Sequence, residues 1–465
     1  MASARRHTGS PLRRKGAGAR GARLGACALS LVLAAALCPF LPTPAFADVR
    51  KADVVLGQTV DARGLSVAQC PSVDAEYALV MDAEGTVYFE RNAQSPAQIA
   101  SITKIMTAVV ALDAVEAGET TLDAAIPVSA AAAAVGESSA GLQEGDVMDL
   151  ETALKALLVP SGNDAAVAIA EALGGSVEAF VERMNEKAAE LGCADTVYEN
   201  PHGLDYDQYA GDLHSTAADV AAVVRHAMEN DVFRSIVSGG STDIAVVRDG
   251  AEATIHLETT DGFLDVYEHA IGVKTGFTAL AGPSFAGAAN NGARELYAIV
   301  LNSSSEAQRF EDAKTLCEWV YEHLVSYQLA NSPETTTCDG AEVPVVAEVA
   351  HEGWIDKTVK TTLSDPDAAV EIFDLNGNVS QTLSFEKLEG DVRAGDKVGT
   401  ITFKQRNEEI ATLDLVACED LDAPDFFEGV GVWWERLLRG FSGQPQSASS
   451  VTLNETPLVV DKTAA

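Results

Sequence analysis

The sequence predicts an α/β (α+β) fold, in which an antiparallel sheet is flanked by helices and followed by a small all-β domain and a C-terminal amphipathic helix. Three observations support this prediction. Helical and strand-like periodicities mix along residues 75–330, whereas only short strand-like runs separated by turn residues fill residues 335–420. In residues 425–441, large apolar side chains recur at spacings of three and four.

The N-terminus has the composition of an export signal. Residues 1–23 contain several basic residues and no acidic residue. An apolar run follows from Leu24 to Leu41, and after it comes Ala45-Phe46-Ala47. This order predicts a secretory signal peptide over residues 1–47, with a retained N-terminal anchor as the alternative. Residues 48–74 then form an N-terminal extension, and the chain is expected outside the cytoplasmic membrane, at its outer face or in the cell wall.

The first domain opens with a strand pair and a helix that carries a reactive pair of side chains. A hairpin is expected over residues 77–89, and apolar residues from Ile105 to Val115 recur with helical spacing. Ser101 and Lys104 are three residues apart at the start of this helix, so they share one face. A hydroxyl beside an amine suits nucleophilic catalysis if a second cation or burial lowers the pKa of the lysine, and Lys274 is a candidate for that cation.

Two further polar motifs follow in the same domain. Ser161-Gly162-Asn163 lies in a tight turn between two predicted helices, where capping is the simple structural explanation. Lys274-Thr275-Gly276 ends a predicted strand, and a hairpin follows around Asn291-Gly292. Gly276 would allow the backbone of a substrate to approach closely, while Lys274 and Thr275 would bind its anionic end.

The C-terminal part of the chain contains no predicted catalytic group. Turn residues at Asn376-Gly377 and Ala394-Gly395-Asp396 separate the strands of residues 335–420. Ser384 and Lys387 repeat the spacing of Ser101 and Lys104, but no partner motif accompanies them. The aromatic helix of residues 425–441 is predicted to anchor the chain at a membrane surface, with packing on the protein as the alternative. Residues 442–465 are expected to be disordered.

Composition excludes some partners. The 465 residues carry 32 Lys and Arg against 69 Asp and Glu, a net charge of −37, which argues against nucleic-acid binding because nucleic acids need a basic surface. Cys338 and Cys418 bracket the second domain and are candidates for a disulfide. Five cysteines follow the predicted signal peptide, and because this number is odd, at least one of them has no partner for an intramolecular disulfide.

The ordered set of three motifs occurs in penicillin-binding proteins and serine β-lactamases. The chain resembles the serine D-alanyl-D-alanine carboxypeptidases, the low-molecular-mass penicillin-binding proteins. The similarity extends to residues 157–166, to Asn200-Pro201-His202-Gly203-Leu204, to residues 215–219 and to Arg309-Phe310. It implies a β-lactamase/transpeptidase-like domain that removes the terminal D-alanine from peptidoglycan stem peptides without a cofactor or metal, and that β-lactam antibiotics inhibit covalently.

Position by position, the resemblance also implies the roles of the site residues. Ser101 is the expected nucleophile and Lys104 its base, while Ser161 and Asn163 move a proton and orient the substrate amide. Lys274, Thr275 and Arg309 are expected to hold the D-alanine carboxylate, and Gly276 to let the substrate backbone approach closely. The N–H groups of Ser101 and Phe277 are expected to form the oxyanion hole. Several relatives have histidine where this chain has Phe277, but only the backbone N–H is needed there.

Other classes of function use similar residues. A serine β-lactamase or a peptidoglycan DD-endopeptidase would share the acylation residues, although no Glu-x-x-x-Asn sequence at the expected distance supplies a β-lactamase with its deacylating carboxylate. A zinc peptidase would need ligands such as His202, Asp212 and His214, whose spacing matches no recognised zinc motif. A wall-binding protein without activity is the remaining alternative.

Overall fold

The structure is a computed structural model that describes residues 53–459. The predicted signal peptide of residues 1–47 lies outside the described residues, as do residues 48–52 and 460–465. The strands in this part of the chain are β1 (Asp53–Val55), β2 (Gln58–Thr59), β3 (Tyr77–Asp82), β4 (Val87–Arg91), β5 (Ala125–Pro127), β6 (Val147–Asp149), β7 (Thr242–Arg248), β8 (Ala251–Leu257), β9 (Ala270–Gly276), β10 (Ser284–Asn290), β11 (Glu295–Leu301), β12 (Leu324–Gln328), β13 (Thr335–Cys338), β14 (Ala341–Pro344), β15 (Ala347–Ala350), β16 (Thr358–Leu363), β17 (Ala369–Phe373), β18 (Val379–Phe385), β19 (Lys397–Gln405), β20 (Glu408–Ala417) and β21 (Val451–Thr452).

Helices occupy most of the remaining chain between the strands of the first domain. The α-helices are α1 (Val60–Arg63), α2 (Lys104–Glu116), α3 (Ala130–Ala133), α4 (Leu150–Leu158), α5 (Asn163–Gly174), α6 (Val177–Glu190), α7 (Ala217–Met228), α8 (Asp231–Ser238), α9 (Phe263–Val266), α10 (Gln308–His323) and α11 (Phe426–Ser442). Short 3-10 turns cover Val67–Gln69, Ala100–Thr103, Asp207–Tyr209 and Asp374–Asn376.

A seven-stranded antiparallel sheet organises the first domain, in the order β2-β1-β4-β3-β11-β10-β9. Alternate residues of each strand point to opposite faces. Leu79 and Met81 therefore join a core with α2 and α4 to α8, while Ala78 and Val80 join a second core with α10. The predicted sheet flanked by helices is confirmed, and β9, which carries the third motif, is one edge of that sheet.

Two domain limits differ from the prediction. The extension over residues 48–74 is part of the central sheet where it is described, because β1 pairs with β4. The all-β part begins before residue 335, since α10 leads directly into β12, which pairs with β17. The main sheet of that part has the order β18-β19-β20-β16-β15-β21 and surrounds its own apolar core.

The chain after α11 contacts the β domain at several points up to residue 459, whereas residues 442–465 were predicted to be disordered. Strand β21 pairs with β15, and Asn454 is buried. The Asn454 side chain accepts a hydrogen bond from Asn331 N–H at 2.7 Å and donates one to the Leu329 carbonyl at 2.9 Å. The prediction was wrong here because nothing in the local sequence indicates that Asn454 is anchored in the β domain.

Cys338 and Cys418 lie together with Val343 in a small buried cluster. Both carry free thiols in the structure, so the candidate disulfide between them is not formed although the two side chains are neighbours.

Candidate active site

Ser101 and Lys104 lie side by side at the start of a buried helix. Ser101 belongs to the 3-10 turn that precedes α2, and α2 itself begins at Lys104, so the hydroxyl lies just before the α-helix rather than in its first turn. The Lys104 Nζ is 2.8 Å from the Ser101 Oγ and 3.0 Å from the carbonyl oxygen of His202. A proton can pass directly from the hydroxyl to the amine at that distance.

The surroundings of Lys104 favour its neutral form. Its side chain has no exposed surface, and burial lowers the pKa of the amine well below 10.5. The charge of Lys274 lowers the pKa further, as the sequence predicted, while Asp164 acts in the opposite direction. A neutral lysine in contact with a hydroxyl can act as a general base.

Two glycines hold the backbone on either side of the Ser101 turn. A Cβ on Gly203 would lie 1.9 Å from the carbonyl oxygen of Ala100, and a Cβ on Gly276 would lie 2.6 Å from that of Ile99. Side chains at these positions would push the turn away. Gly276 therefore has a neighbour within the protein itself, in addition to the approach of a substrate for which the sequence suggested it.

The second motif forms the turn between α4 and α5. Ser161 has a φ of +64°, and its buried Oγ has no hydrogen-bond partner within residues 53–459. Gly162, rather than Ser161, takes the N-cap position of α5. Asn163 donates from Nδ2 to the Gly136 carbonyl at 2.9 Å, while its Oδ1 is buried without a partner in the same part of the chain. The motif therefore directs unpaired polar atoms inward instead of capping the helix.

Asp164 fixes the loop that faces this motif. Its carboxylate accepts hydrogen bonds from the N–H groups of Ala140 at 3.0 Å and Leu142 at 3.2 Å, and from Ser139 Oγ at 2.6 Å. Buried charged groups need several such partners to offset their lost hydration. No function was predicted for Asp164 itself, and its hydrogen bonds show that it holds the loop of residues 136–142 in place.

The third motif places a second buried lysine at the edge of the sheet. The Lys274 side chain is buried, and its Nζ donates to the Thr275 carbonyl at 3.1 Å. Burial lowers the pKa of Lys274 to about 7, the carboxylate of Asp261 opposes this shift, and the charge of Arg309 adds to it. The protonated and neutral forms of Lys274 therefore lie close in free energy near neutral pH.

Arg309 approaches the same edge from α10. Its Nη1 donates to the Gly276 carbonyl at 3.4 Å, and its guanidinium lies 4.9 Å from the centroid of the Phe310 ring. Phe277 follows on the chain, and its ring is exposed. A second cation is thus held where β9 ends.

The motifs converge on one cleft of about 500 Å³. Lys104 and Lys274 lie beneath its surface, whereas the other predicted site residues line it. The lining residues are Ser101, Glu137, Ser138, Ser161, Asn163, Leu204, Asp205, Tyr206, Thr260, Thr275, Gly276, Phe277, Thr278, Ala279, Leu280, Glu306 and Arg309.

Thr260 lines the cleft but was not predicted from the sequence. Its Oγ1 lies 2.9 Å from the Oγ1 of Thr275, and its N–H donates to the Val159 carbonyl at 3.1 Å. Thr260 therefore connects the strand of the third motif to the chain just before the second motif. It belongs to a loop without a sequence signature, so only the tertiary contacts reveal it.

The residues considered as zinc ligands have other partners. The Nδ1 of His202 accepts a hydrogen bond from Leu204 N–H at 3.2 Å, and burial together with Lys104 lowers the pKa of this histidine to about 3. The Nδ1 of His214 lies 2.6 Å from the carbonyl oxygen of Asp212. Across residues 53–459 there is no group of three His, Cys, Asp or Glu side chains that could hold a metal ion.

The second Ser-x-x-Lys sequence lies in a different environment. Ser384 is near the end of β18, and the exposed Lys387 pairs with Glu352 at 3.1 Å and with Glu389. This lysine is neither buried nor paired with a hydroxyl nucleophile, in contrast to Lys104.

Known D-alanyl-D-alanine carboxypeptidases are similar to this chain over more than half of its length. D-alanyl-D-alanine carboxypeptidase DacF of Bacillus subtilis is 27% identical over 356 residues, which cover 76% of this chain and 87% of the relative. DacB2 of Mycobacterium tuberculosis, another D-alanyl-D-alanine carboxypeptidase, is 34% identical over 253 residues, or 54% of this chain and 83% of the relative.

Solved structures agree on the fold. The D-alanyl-D-alanine carboxypeptidase DacD from Francisella tularensis aligns with a TM-score of 0.54 and 22% identity, over 76% of this chain and 94% of its own. The Streptomyces K15 DD-transpeptidase aligns with a TM-score of 0.51 and 30% identity, over 54% of this chain and 98% of its own. The family model for D-alanyl-D-alanine carboxypeptidases matches residues 65–305. The chain is a member of the D-alanyl-D-alanine carboxypeptidase family of serine peptidases.

Proposed function

We propose that Ser101 is the nucleophile with which this carboxypeptidase removes the terminal D-alanine from peptidoglycan stem peptides, and that β-lactams acylate the same residue. The observation that carries the proposal is the 2.8 Å contact between Ser101 Oγ and the fully buried Lys104 Nζ. In the first step Lys104 accepts the hydroxyl proton while Oγ attacks the carbonyl carbon between the two D-alanines.

The remaining motif residues have complementary roles in this mechanism. The N–H groups of Ser101 and Phe277 stabilise the negative oxygen of the tetrahedral intermediate, which then expels D-alanine as its C–N bond breaks. The leaving nitrogen receives its proton through Ser161, whose buried Oγ has no partner elsewhere in residues 53–459. Water then attacks the ester on Ser101 and transfers a proton to Lys104, which passes it to the Ser101 Oγ as the ester C–O bond breaks and the shortened peptide leaves.

Substrate selection rests on charge at one end of the cleft. Arg309 and Lys274 place two cations around the end of β9, and Thr275 offers a hydroxyl beside them. A terminal carboxylate is the group that such an arrangement binds, and both D-alanyl-D-alanine and penicillin carry one.

Covalent labelling tests the proposal most simply. Purified protein is incubated with a fluorescent penicillin, and release of D-alanine from a stem pentapeptide is measured in parallel. The wild type and Ser384→Ala are expected to show label and activity, whereas Ser101→Ala loses both. Ser384→Ala is the matched control because Ser384 has the same spacing to a lysine outside the cleft.

The alternative functions give different outcomes in the same experiment. Rapid turnover of penicillin without a lasting label would indicate a β-lactamase, and cleavage of a cross-linked dimer would indicate an endopeptidase. Label that persists in Ser101→Ala would contradict the assignment of the nucleophile, and loss of activity on chelation would point to a metal enzyme.

We also propose that α11 holds this enzyme at the outer face of a membrane, after export directed by residues 1–47. The helix begins with a capping box between Asp425 and Glu428, and Arg436 ties it to the carbonyl of Trp354 at 2.9 Å. Its large apolar side chains are nevertheless exposed: Phe426, Phe427, Val430, Trp433, Trp434, Leu437, Leu438 and Phe441. No helix within residues 53–459 meets the length and hydropathy needed to cross a bilayer, and an amphipathic surface helix needs neither.

Vesicle sedimentation tests this second proposal. The wild type is expected to sediment with phosphatidylcholine vesicles, and the double variant Phe427→Asp/Phe441→Asp to remain in the supernatant. Leu458→Asp makes the same chemical change at an exposed apolar residue outside the helix and should sediment like the wild type. Equal sedimentation of all three proteins would contradict a membrane role for α11.

A further inference from the structure

A buried carboxyl group behind the cleft has no role in the mechanism above. Asp261 is only 5% exposed, and it precedes α9 in the loop that also contains Thr260. One of its oxygens accepts the N–H of Phe263 at 2.9 Å, while the other is buried without a hydrogen-bond partner within residues 53–459. An oxygen left in this way costs free energy, which requires a compensating interaction.

The loop that contains Asp261 lies against the strand that carries Lys274, because the Oγ1 of Thr260 is 2.9 Å from the Oγ1 of Thr275. Two cations at this end of the cleft supply the compensating interaction by their charge. Lys274 on β9 and Arg309 on α10 both act electrostatically on Asp261, and the exposed Asp265 on α9 acts with the opposite sign. Asp261 in turn stabilises the charge of Lys274 and that of Arg309. The three charged groups that act on Asp261 are therefore Lys274 on β9, Arg309 on α10 and Asp265 on α9.

We propose that Asp261 is a positioning residue for acylation: its buried carboxylate keeps Lys274 charged, and the charged Lys274 both binds the substrate carboxylate and keeps Lys104 neutral. The proposal rests on the function proposed above for Ser101 and Lys104. It adds a third buried member to the two lysines, and no sequence motif contains it.

The cost of burying charge links the protonation states of Asp261, Lys274 and Lys104. Burial of Lys274 without a counter-charge would favour its neutral form, because a low dielectric penalises an ammonium. A neutral Lys274 would lose its attraction for the substrate carboxylate, and the pKa of Lys104 would no longer be lowered by its charge. Burial raises the pKa of Asp261, and the charges of Lys274 and Arg309 act against that rise, so they favour the carboxylate that the proposal requires.

The variant Asp261→Asn tests the charge alone. Asparagine has nearly the same volume and retains an oxygen that can accept the Phe263 N–H. Asp265→Asn is the matched control, because it removes the same charge from an exposed side chain four residues further on. The measurement is the second-order rate of acylation by a fluorescent penicillin between pH 5 and pH 10, which reports protonation states of the free enzyme.

The expected change is in the alkaline limb of this profile. Removal of the carboxylate lowers the pKa of Lys274, so the limb should move to lower pH by about one unit or more. At pH 8 the rate should then be lower than that of the wild type by about tenfold, while near pH 6 the two proteins should agree within about twofold. Asp265→Asn should follow the wild type throughout.

The outcomes separate this inference from the proposed function. A profile of Asp261→Asn that coincides with that of the wild type would overturn the role of Asp261, provided that Ser101→Ala has lost the label. Label that persists in Ser101→Ala would overturn the proposed function instead.

A measurement on the wild type decides the case if Asp261→Asn fails to fold. The ¹³Cγ resonance of Asp261 is followed by NMR across the same pH range. The proposal requires this carboxyl to lose its proton at lower pH than the alkaline limb of acylation. A carboxyl that stays protonated up to that limb cannot keep Lys274 charged and would overturn the proposal.

Discussion

The catalytic centre buries charged side chains, whereas the C-terminal helix exposes apolar ones, and both placements are unusual for a folded protein. The centre buries two lysines, Lys104 and Lys274, both almost without solvent contact. Helix α11 instead exposes a row of aromatic and aliphatic side chains to solvent. Neither arrangement benefits the stability of the isolated chain, because a buried ammonium loses its hydration and an exposed aromatic ring gains nothing from folding.

The difference between the two regions lies in what supports them. The lysines are held by a dense network, including the carbonyl of His202 and the charge of Asp261, and the backbone around Ser101 leaves no room for an added Cβ. Helix α11 is held by its caps, by Arg436 and by the chain on either side. Chemistry needs groups fixed to within fractions of an ångström, whereas binding to a fluid surface needs only an exposed apolar face.

The largest effect is expected from removing the buried amine. Lys104→Met keeps much of the side-chain volume but removes the base, so acylation by penicillin should slow by about 10²–10⁴-fold. The variant should also be at least as stable as the wild type, since a buried polar group is replaced by an apolar one. Stopped-flow labelling and thermal unfolding measure the two effects, with Lys387→Met as the exposed control. If Lys104→Met kept the wild-type acylation rate, Lys104 would not be the base.

Glycine substitutions should show the contrast in packing. Gly203→Ala introduces a Cβ 1.9 Å from a carbonyl oxygen at a φ of +90°, so the free energy of unfolding should fall by about 2–4 kcal/mol. Gly429→Ala in α11 meets no atom within 4 Å and should stabilise the helix by up to about 1 kcal/mol. Denaturant unfolding measures both variants. A similar loss of stability in the two would mean that the regions do not differ in packing.

A smaller effect is expected from the hydroxyl that supports Thr275. Thr260→Val removes the hydrogen bond to Thr275 Oγ1 at little change in volume, which should lower kcat/KM for D-alanine release by about three- to tenfold, mainly through KM. Thr254→Val, on the exposed side of β8, is the control. A fall in kcat alone would show that Thr260 acts on the chemical step and not on binding of the carboxylate.

The sequence predicted more of the centre than of its surroundings. The three motifs supply groups whose chemistry is visible in their residue types, and the structure brings all of them to one cleft. Thr260 and Asp261 were not predicted, because their contacts arise only when the loop before α9 packs against β9 and α10. Asp164 was noticed only as part of a family sequence, since its bonds to the loop of residues 136–142 depend on tertiary structure.

The reverse holds at the C-terminus. The periodicity of α11 fixed its limits to within one residue, because helical spacing is a local property. The chain after it was predicted to be disordered, but strand β21 and Asn454 attach it to the β domain through long-range contacts. Composition does not predict such contacts, and it did not predict that the thiols of Cys338 and Cys418 are free.

Burial favours the neutral form of Lys104 beside Ser101, and the pH dependence of wild-type acylation reports this protonation state. Lys104 gains a proton only as the pH falls through its lowered pKa, and Lys274 loses one as the pH rises above about 7. The acylation rate should therefore be greatest near neutral pH and fall on both sides. A rate that instead rises tenfold per pH unit up to about pH 10 would show that Lys104 has an ordinary pKa and is protonated at neutral pH, so it could not be the base.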